Sequence, residues 1–150
     1  MWVDDDDPFE WKGVKAEGGR VTSISIIPKD LLDYDFFREH PPDSRFEWSL
    51  RLEALPPEIG QLTALTSLNL IWCSQFTTLP SEIGQLTELT SLNLSRCIQF
   101  TTLPSEIGQL TTLTKLVLAY LYCEHLMVLP PEIGDLTALT SLDLKDCRRG

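Results

Sequence analysis

The sequence predicts an α/β solenoid: a short curved stack of coils, with a parallel sheet along the inner curve and short helical or irregular segments along the outer side. Three observations predict it. First, the segment Leu55-Pro56-Pro57-Glu58-Ile59-Gly60-Gln61-Leu62-Thr63-Ala64-Leu65-Thr66-Ser67-Leu68-Asn69-Leu70 recurs from Leu79, from Leu103 and from Leu129, at steps of 24, 24 and 26 residues. Second, leucines two apart in each copy share one side of an extended chain, while the residues between them face the other way. Third, a unit this short cannot close a core alone, whereas stacked neighbours can.

From the N-terminus, residues 1–20 read as an acidic tail and a cap. Asp4 to Asp7 form a run of four carboxylates. A divalent cation needs ligands folded around it from several directions, so the run reads as a solvated end. Trp2, Phe9, Trp11 and Val14 are apolar enough to cover the open end of the stack. Gly18-Gly19-Arg20 signals a turn, and Val21 to Ile26 reads as the first strand.

Residues 21–54 read as degenerate first repeats. Pro28 to His40 is compatible with a short helix turning Leu31, Leu32, Phe36 and Phe37 inward, ended by Pro41 and Pro42. A further poor copy lies near Phe46 to Leu52. Residues 55–150 then hold four regular repeats, the last without a cap.

Within a regular copy, Leu65-x-x-Leu68-x-Leu70-x-x-Cys73 is the spacing of a leucine-rich repeat. Leu68 and Leu70 point into the core, and Ser67, Asn69 and Ile71 point outward. Cys73 turns the chain inward, where its thiol can bond weakly to a carbonyl. Pro80 opens a short helical stretch, because proline suits the start of a helix and cannot serve a central strand. The third copy is two residues longer, with Ala119-Tyr120-Leu121-Tyr122-Cys123 in place of Ile71-Trp72-Cys73. The insertion is either part of a binding face or a tolerated slip with its rings packed flat.

Leu79-Pro80-Ser81-Glu82-Ile83-Gly84-Gln85-Leu86 and the Cys97-x-x-Phe100-x-x-Leu103 spacing resemble the repeats of plant intracellular disease-resistance receptors. They also resemble the plant and protist Ras-group leucine-rich repeat proteins. Asp7-Pro8-Phe9-Glu10-Trp11-Lys12-Gly13-Val14, with Gly19-Arg20-Val21, is similar to the N-terminal cap of plant receptor ectodomains. That cap holds a cysteine pair where this chain has Phe9 and Ala16. The resemblance implies a protein-recognition module in signalling or defence, and the missing pair points to the cytoplasm.

Composition excludes several other roles. The chain has 150 residues and a net charge of −10, with 13 acidic and 7 basic side chains in residues 1–54. Such acidity argues against nucleic acid as a partner. No apolar run approaches the ~20 residues of a membrane span. Cys73, Cys97, Cys123 and Cys147 lie 24, 26 and 24 apart, which stacks them in one column. Zinc ligands come in close pairs, so the column reads as structural, with no metal and no other cofactor expected. Cys123-Glu124-His125 places a thiol near an imidazole, but repeat register turns Cys123 inward, away from a base. Without a phosphate-cradling loop or a hydrolase motif, the sequence supports no enzyme.

The expected partner is therefore a protein or peptide, bound on the outward side of the sheet. Repeat register aligns Ser67, Ser91, Lys115 and Ser141 in one column and Asn69, Asn93, Val117 and Asp143 in the next. Ile71, Ser95, Ala119 and Lys145 follow, and Trp72, Arg96, Tyr120 and Asp146 form the edge. Trp72, Arg96 and Tyr120 are of the types that dominate interface hot spots. They are the predicted anchors, with Asn69, Asn93, Lys115 and Asp143 around them. A second reading treats the chain as an architectural fragment, or as a homodimer that stacks end to end through Leu142 and Leu144.

Overall fold

A computed structural model describes residues 14–26, 54–73, 75–97, 99–119 and 128–145. One six-stranded sheet runs through them in sequence order. Its strands are β1 (Val14–Glu17), β2 (Arg20–Ile26), β3 (Ser67–Leu70), β4 (Ser91–Asn93), β5 (Lys115–Val117) and β6 (Ser141–Asp143). All neighbours from β2 onward are parallel, in the register that repeat spacing predicts. Four 3-10 helices, Pro57–Gln61, Ser81–Gln85, Ser105–Gln109 and Pro131–Asp135, stack on the other side of the coils. Each follows an extended proline, at Pro56, Pro80, Pro104 and Pro130. The fold is a leucine-rich repeat solenoid.

The core lies between sheet and helices. Leu68, Leu92 and Leu116, Leu70, Leu94 and Leu118, and Phe76 and Phe100 are wholly buried, joined by Ile83 and Ile107 from the helices. Burial of this apolar surface supplies the driving force, because no coil has a second layer of its own. At the last coil the pattern opens: Leu142 and Leu144 are each 41% exposed.

A threonine spine runs beside the core. The backbone N–H of Thr66 donates to the carbonyl of Thr22, and its Oγ1 donates to the same oxygen at 2.9 Å. Thr90, Thr114 and Thr140 repeat both bonds to the threonine one coil earlier. The carbonyls of Thr66, Thr90 and Thr114 also accept the N–H of Ser91, Lys115 and Ser141, so each of these rungs gathers three donors on one acceptor. The recurrence of threonine at this point of every copy is visible in the sequence, but its role needs the stacked geometry.

One expectation is corrected at the N-terminal end. β2 pairs directly with β3, Ser23 beside Ser67 and Ile24 beside Leu68. The poor copy near Phe46 to Leu52 and the helix expected over Pro28 to His40 lie outside the described residues. Val14 does not cover the core. It belongs to β1, paired antiparallel with Ile24, and is 57% exposed. The hairpin closes through Gly18 and Gly19, both with positive φ, which a tight turn demands and glycine allows. Trp2, Phe9 and Trp11 lie outside the described residues.

Candidate functional site

The side of the sheet away from the core is built from the odd members of the strand pattern. Ser67, Ser91, Lys115 and Ser141 are aligned by pairing, as are Asn69, Asn93, Val117 and Asp143. Ser23 and Ser25 extend the two rows on β2. Lys115 is exposed, whereas Asn69, Asn93 and Asp143 are half-buried. Val117 and Ala119 depart from expectation: both are buried, although repeat register places them in outward columns. Apolar side chains at these two points are withdrawn from water, while Lys115, Ser141 and Lys145 stay exposed.

Asn93 and Asp143 are tied to their own chain. Asn93 Oδ1 accepts the backbone N–H of Ser95 at 2.9 Å and also its hydroxyl proton. Asp143 Oδ1 accepts the N–H of Lys145 at 2.9 Å in the same way. Both are Asx turns, which end a strand by giving its backbone a side-chain acceptor. Two residues after Asn69 comes Ile71, which has no hydroxyl, and Asn69 Oδ1 is buried without a hydrogen-bond partner. An unmet acceptor of this kind costs about 1–3 kcal/mol.

Where the strands leave, the chain must swing into the core to bury Cys73 and Cys97. The N–H of Cys97 donates to the carbonyl of Leu94, closing a tight turn with Arg96 at its third position. Arg96 has φ 63 and Trp72, one coil earlier, has φ 66. Glycine or asparagine is expected where φ is positive; for larger side chains the left-handed region costs about 1–2 kcal/mol each. The turns are held by further rungs, Trp72 N–H to Ser95 O and Arg96 N–H to Ala119 O. Both side chains are half-buried, and the Arg96 guanidinium carbon stands 4.6 Å from the centroid of the Trp72 ring. Such a cation–π contact contributes about 0.5–1 kcal/mol, less than the strain of two left-handed residues.

Trp72 and Arg96 are therefore brought together as expected, on adjacent coils. The third predicted anchor, Tyr120, and the two-residue insertion around it lie outside the described residues. So do Asp146, Cys123, Glu124, His125 and Cys147. The described cysteines, Cys73 and Cys97, are free and buried. Cys97 Sγ donates to the carbonyl of Leu70 at 3.0 Å. Hydrogen bonding with Cys97, and then burial, push the Cys73 thiol far above its ordinary range. Both influences favour the protonated thiol over the thiolate. Among the described residues no group of His, Cys, Asp and Glu is placed to hold a metal ion. No helix among them is long and apolar enough to cross a membrane.

Lys15 was not anticipated at this face. It pairs with Ser23 across the β1–β2 hairpin and so joins the row that holds Lys115. The Gly18-Gly19 turn was legible, but a strand before it was not read, because Val14 to Glu17 has too few apolar residues to show an alternation.

Comparison with known proteins agrees with this architecture. The family described as leucine-rich repeat region matches residues 48–145. A leucine-rich repeat protein of Leptospira interrogans is similar at 44% identity, with a TM-score of 0.55, over 63% of this chain and 23% of that one. The Arabidopsis receptor kinase HAESA, solved with a peptide hormone and a co-receptor, shares 21% identity over 96% of this chain and 30% of its own, with a TM-score of 0.38. The chain thus spans about a quarter of the length of the Leptospira protein. Among curated proteins no match is found.

Proposed function

The chain belongs to the leucine-rich repeat family, and from that premise we propose that it binds a protein or peptide on the open face of its sheet. Trp72, Arg96 and Tyr120 are the anchors, and Asn69, Asn93, Lys115 and Asp143 are the surrounding contacts. The observation that carries the reading is the pair Trp72 and Arg96, stacked at 4.6 Å and both held with positive φ. Residues in sparsely populated backbone regions persist where something else fixes them, and they cluster at sites of recognition. The setting that suits the reading is intracellular signalling or defence in the cytoplasm, as the resemblance to disease-resistance receptors implies. Leucine-rich repeats generally serve as non-enzymatic interaction scaffolds, and no catalytic role is assigned to any residue.

A direct test starts from peptides selected against the full chain from a display library. Binding is expected to fall at least about tenfold when Trp72, Arg96 and Tyr120 are all replaced by alanine. It is also expected to fall with Ser91→Tyr, which fills the middle of the open face. Unchanged affinity in both variants, measured with circular dichroism to confirm folding, would defeat the reading.

A second reading is favoured by one observation, the exposure of Leu142 and Leu144 at the last coil. Their equivalents in the three earlier coils are fully covered. Exposed apolar side chains beside a strand at the edge of the described sheet invite another chain. On this reading two copies associate through β6. Light scattering over a concentration series should then show a dimer that Leu142→Lys with Leu144→Lys dissolves. A monomer at every concentration would dispose of it.

A further inference from the structure

Five basic and eight acidic side chains stand among the described residues, and they are sorted in space. Four of the basic ones, Lys15, Arg96, Lys115 and Lys145, lie on the open face of the sheet or at its exit edge. Lys15 and Lys115 belong to one cross-strand row, through Ser23, Ser67 and Ser91. Lys145 follows β6 at the point that Ser95 occupies after β4. Of the described acids, Asp143 is on this face, its Oδ1 already accepting the Lys145 N–H, and Glu17 ends β1 beside Arg20. Glu58, Glu82, Glu106 and Glu132 sit instead in the first turns of the 3-10 helices, across the core from the sheet. Among the described residues this face thereby carries a strip in which basic side chains outnumber acidic ones.

That arrangement has a directional consequence. An acidic partner is repelled from the helix side and attracted to the strip, so the field selects both the partner and its orientation. The exit edge adds a second, independent observation. Glycine would occupy the turn positions of Trp72 and Arg96 without strain, yet the chain places there two side chains suited to gripping an interface.

We infer that the open face takes an acidic segment of protein chain. Lys15, Lys115 and Lys145 set its charge, and the Trp72–Arg96 step grips it. The inference rests on the interaction reading above and adds the chemistry of the partner. A nucleic acid is the less favoured polyanion, since the four described cations of this face, on a chain of net charge −10, are few against the phosphate contacts that nucleic-acid binding uses.

The test is a fluorescence-anisotropy titration of the full chain with four labelled probes. These are a short peptide alternating Glu and Ser, its Lys counterpart, its Gln counterpart and a short oligothymidylate. The acidic peptide is expected to bind tightest, more weakly as salt is raised. Lys115→Glu with Lys145→Glu should weaken it at least about tenfold. Trp72→Gly with Arg96→Gly should weaken it similarly while the melting temperature holds or rises. The inference is overturned if the acidic peptide binds no better than the other peptides, if the oligothymidylate binds best, or if the charge-reversed variant binds undiminished. A marked fall in melting temperature of the glycine variant would overturn the assigned grip and make the pair structural. Ser91→Tyr separates the two levels. A neutral or basic peptide that this variant releases sinks the acidic assignment and leaves the face as the binding surface. Peptide binding that ignores Ser91→Tyr sinks the face itself.

Discussion

Replacing Phe100 by alanine is expected to lower stability by about 3–5 kcal/mol, enough to unfold a large share of a marginally stable chain. Phe100 is wholly buried, at the same place in its coil as Phe76 one coil earlier. Its backbone N–H donates to Cys97 O at 3.0 Å, so the ring is fixed by the turn that also buries the thiol. Removing it leaves a cavity between coils that the short, taut backbone cannot collapse to fill. The same truncation at the last coil should behave differently. Leu142→Ala, at a side chain already 41% exposed, is expected to cost under about 1 kcal/mol. Urea unfolding checks both, the midpoint falling for Phe100→Ala with the slope unchanged. A loss under about 1 kcal/mol at Phe100 would mean that the interior between coils is not a packed core.

The second large effect concerns a smaller atom. A methyl at Gly84 would lie 2.9 Å from the backbone carbonyl oxygen of Glu106, on the helix of the next coil. Backbone cannot swing aside as a side-chain tip can, so Gly84→Ala should force the coils apart. The expected loss is about 1–3 kcal/mol. Gly108 meets the same obstacle, the Glu132 carbonyl, also at 2.9 Å. At Gly134, the equivalent position of the last coil, nothing lies within 4 Å of such a methyl. Gly134→Ala should therefore be neutral or stabilising by about 0.4–1 kcal/mol, through the unfolded chain alone. None of these three glycines has a positive φ, so the contrast is one of space. Equal effects at Gly84 and Gly134 would refute the account. Thermal melts of the two single variants decide it.

Most of this architecture is legible in the sequence. Leucines two apart specify a face, and a near-constant period specifies which residues stand beside each other; Ser67, Ser91, Lys115 and Ser141 follow from those two facts. Repeat arithmetic is silent on conformation. It brought Trp72 beside Arg96 but gave no sign that both carry left-handed backbone, since that depends on how sharply the chain must turn to bury Cys73 and Cys97. It also placed Val117 and Ala119 outward, whereas covering an outward position is a property of the whole surface. The first third is less legible for a different reason. Between Ile26 and Leu55 the apolar residues lose the repeat's period, and spacing alone could not show that β2 would pair directly with β3. Lys15 was missed because a short hairpin arm with one apolar end carries almost no pattern.

The threonine spine has a consequence for how such a chain can change. Its rungs join Thr66 to Thr90 and Thr90 to Thr114 across 24 residues, Thr114 to Thr140 across 26, and Thr22 to Thr66 across 44. The bonds are much alike at every step, from 2.9 to 3.2 Å. Spacing between neighbours is thus fixed at a few anchor atoms and is indifferent to the length of the excursion between them. New loops can be spliced in at one floor of the building while the floors above and below keep their places. Variation and rigidity are assigned to different parts of the same short chain.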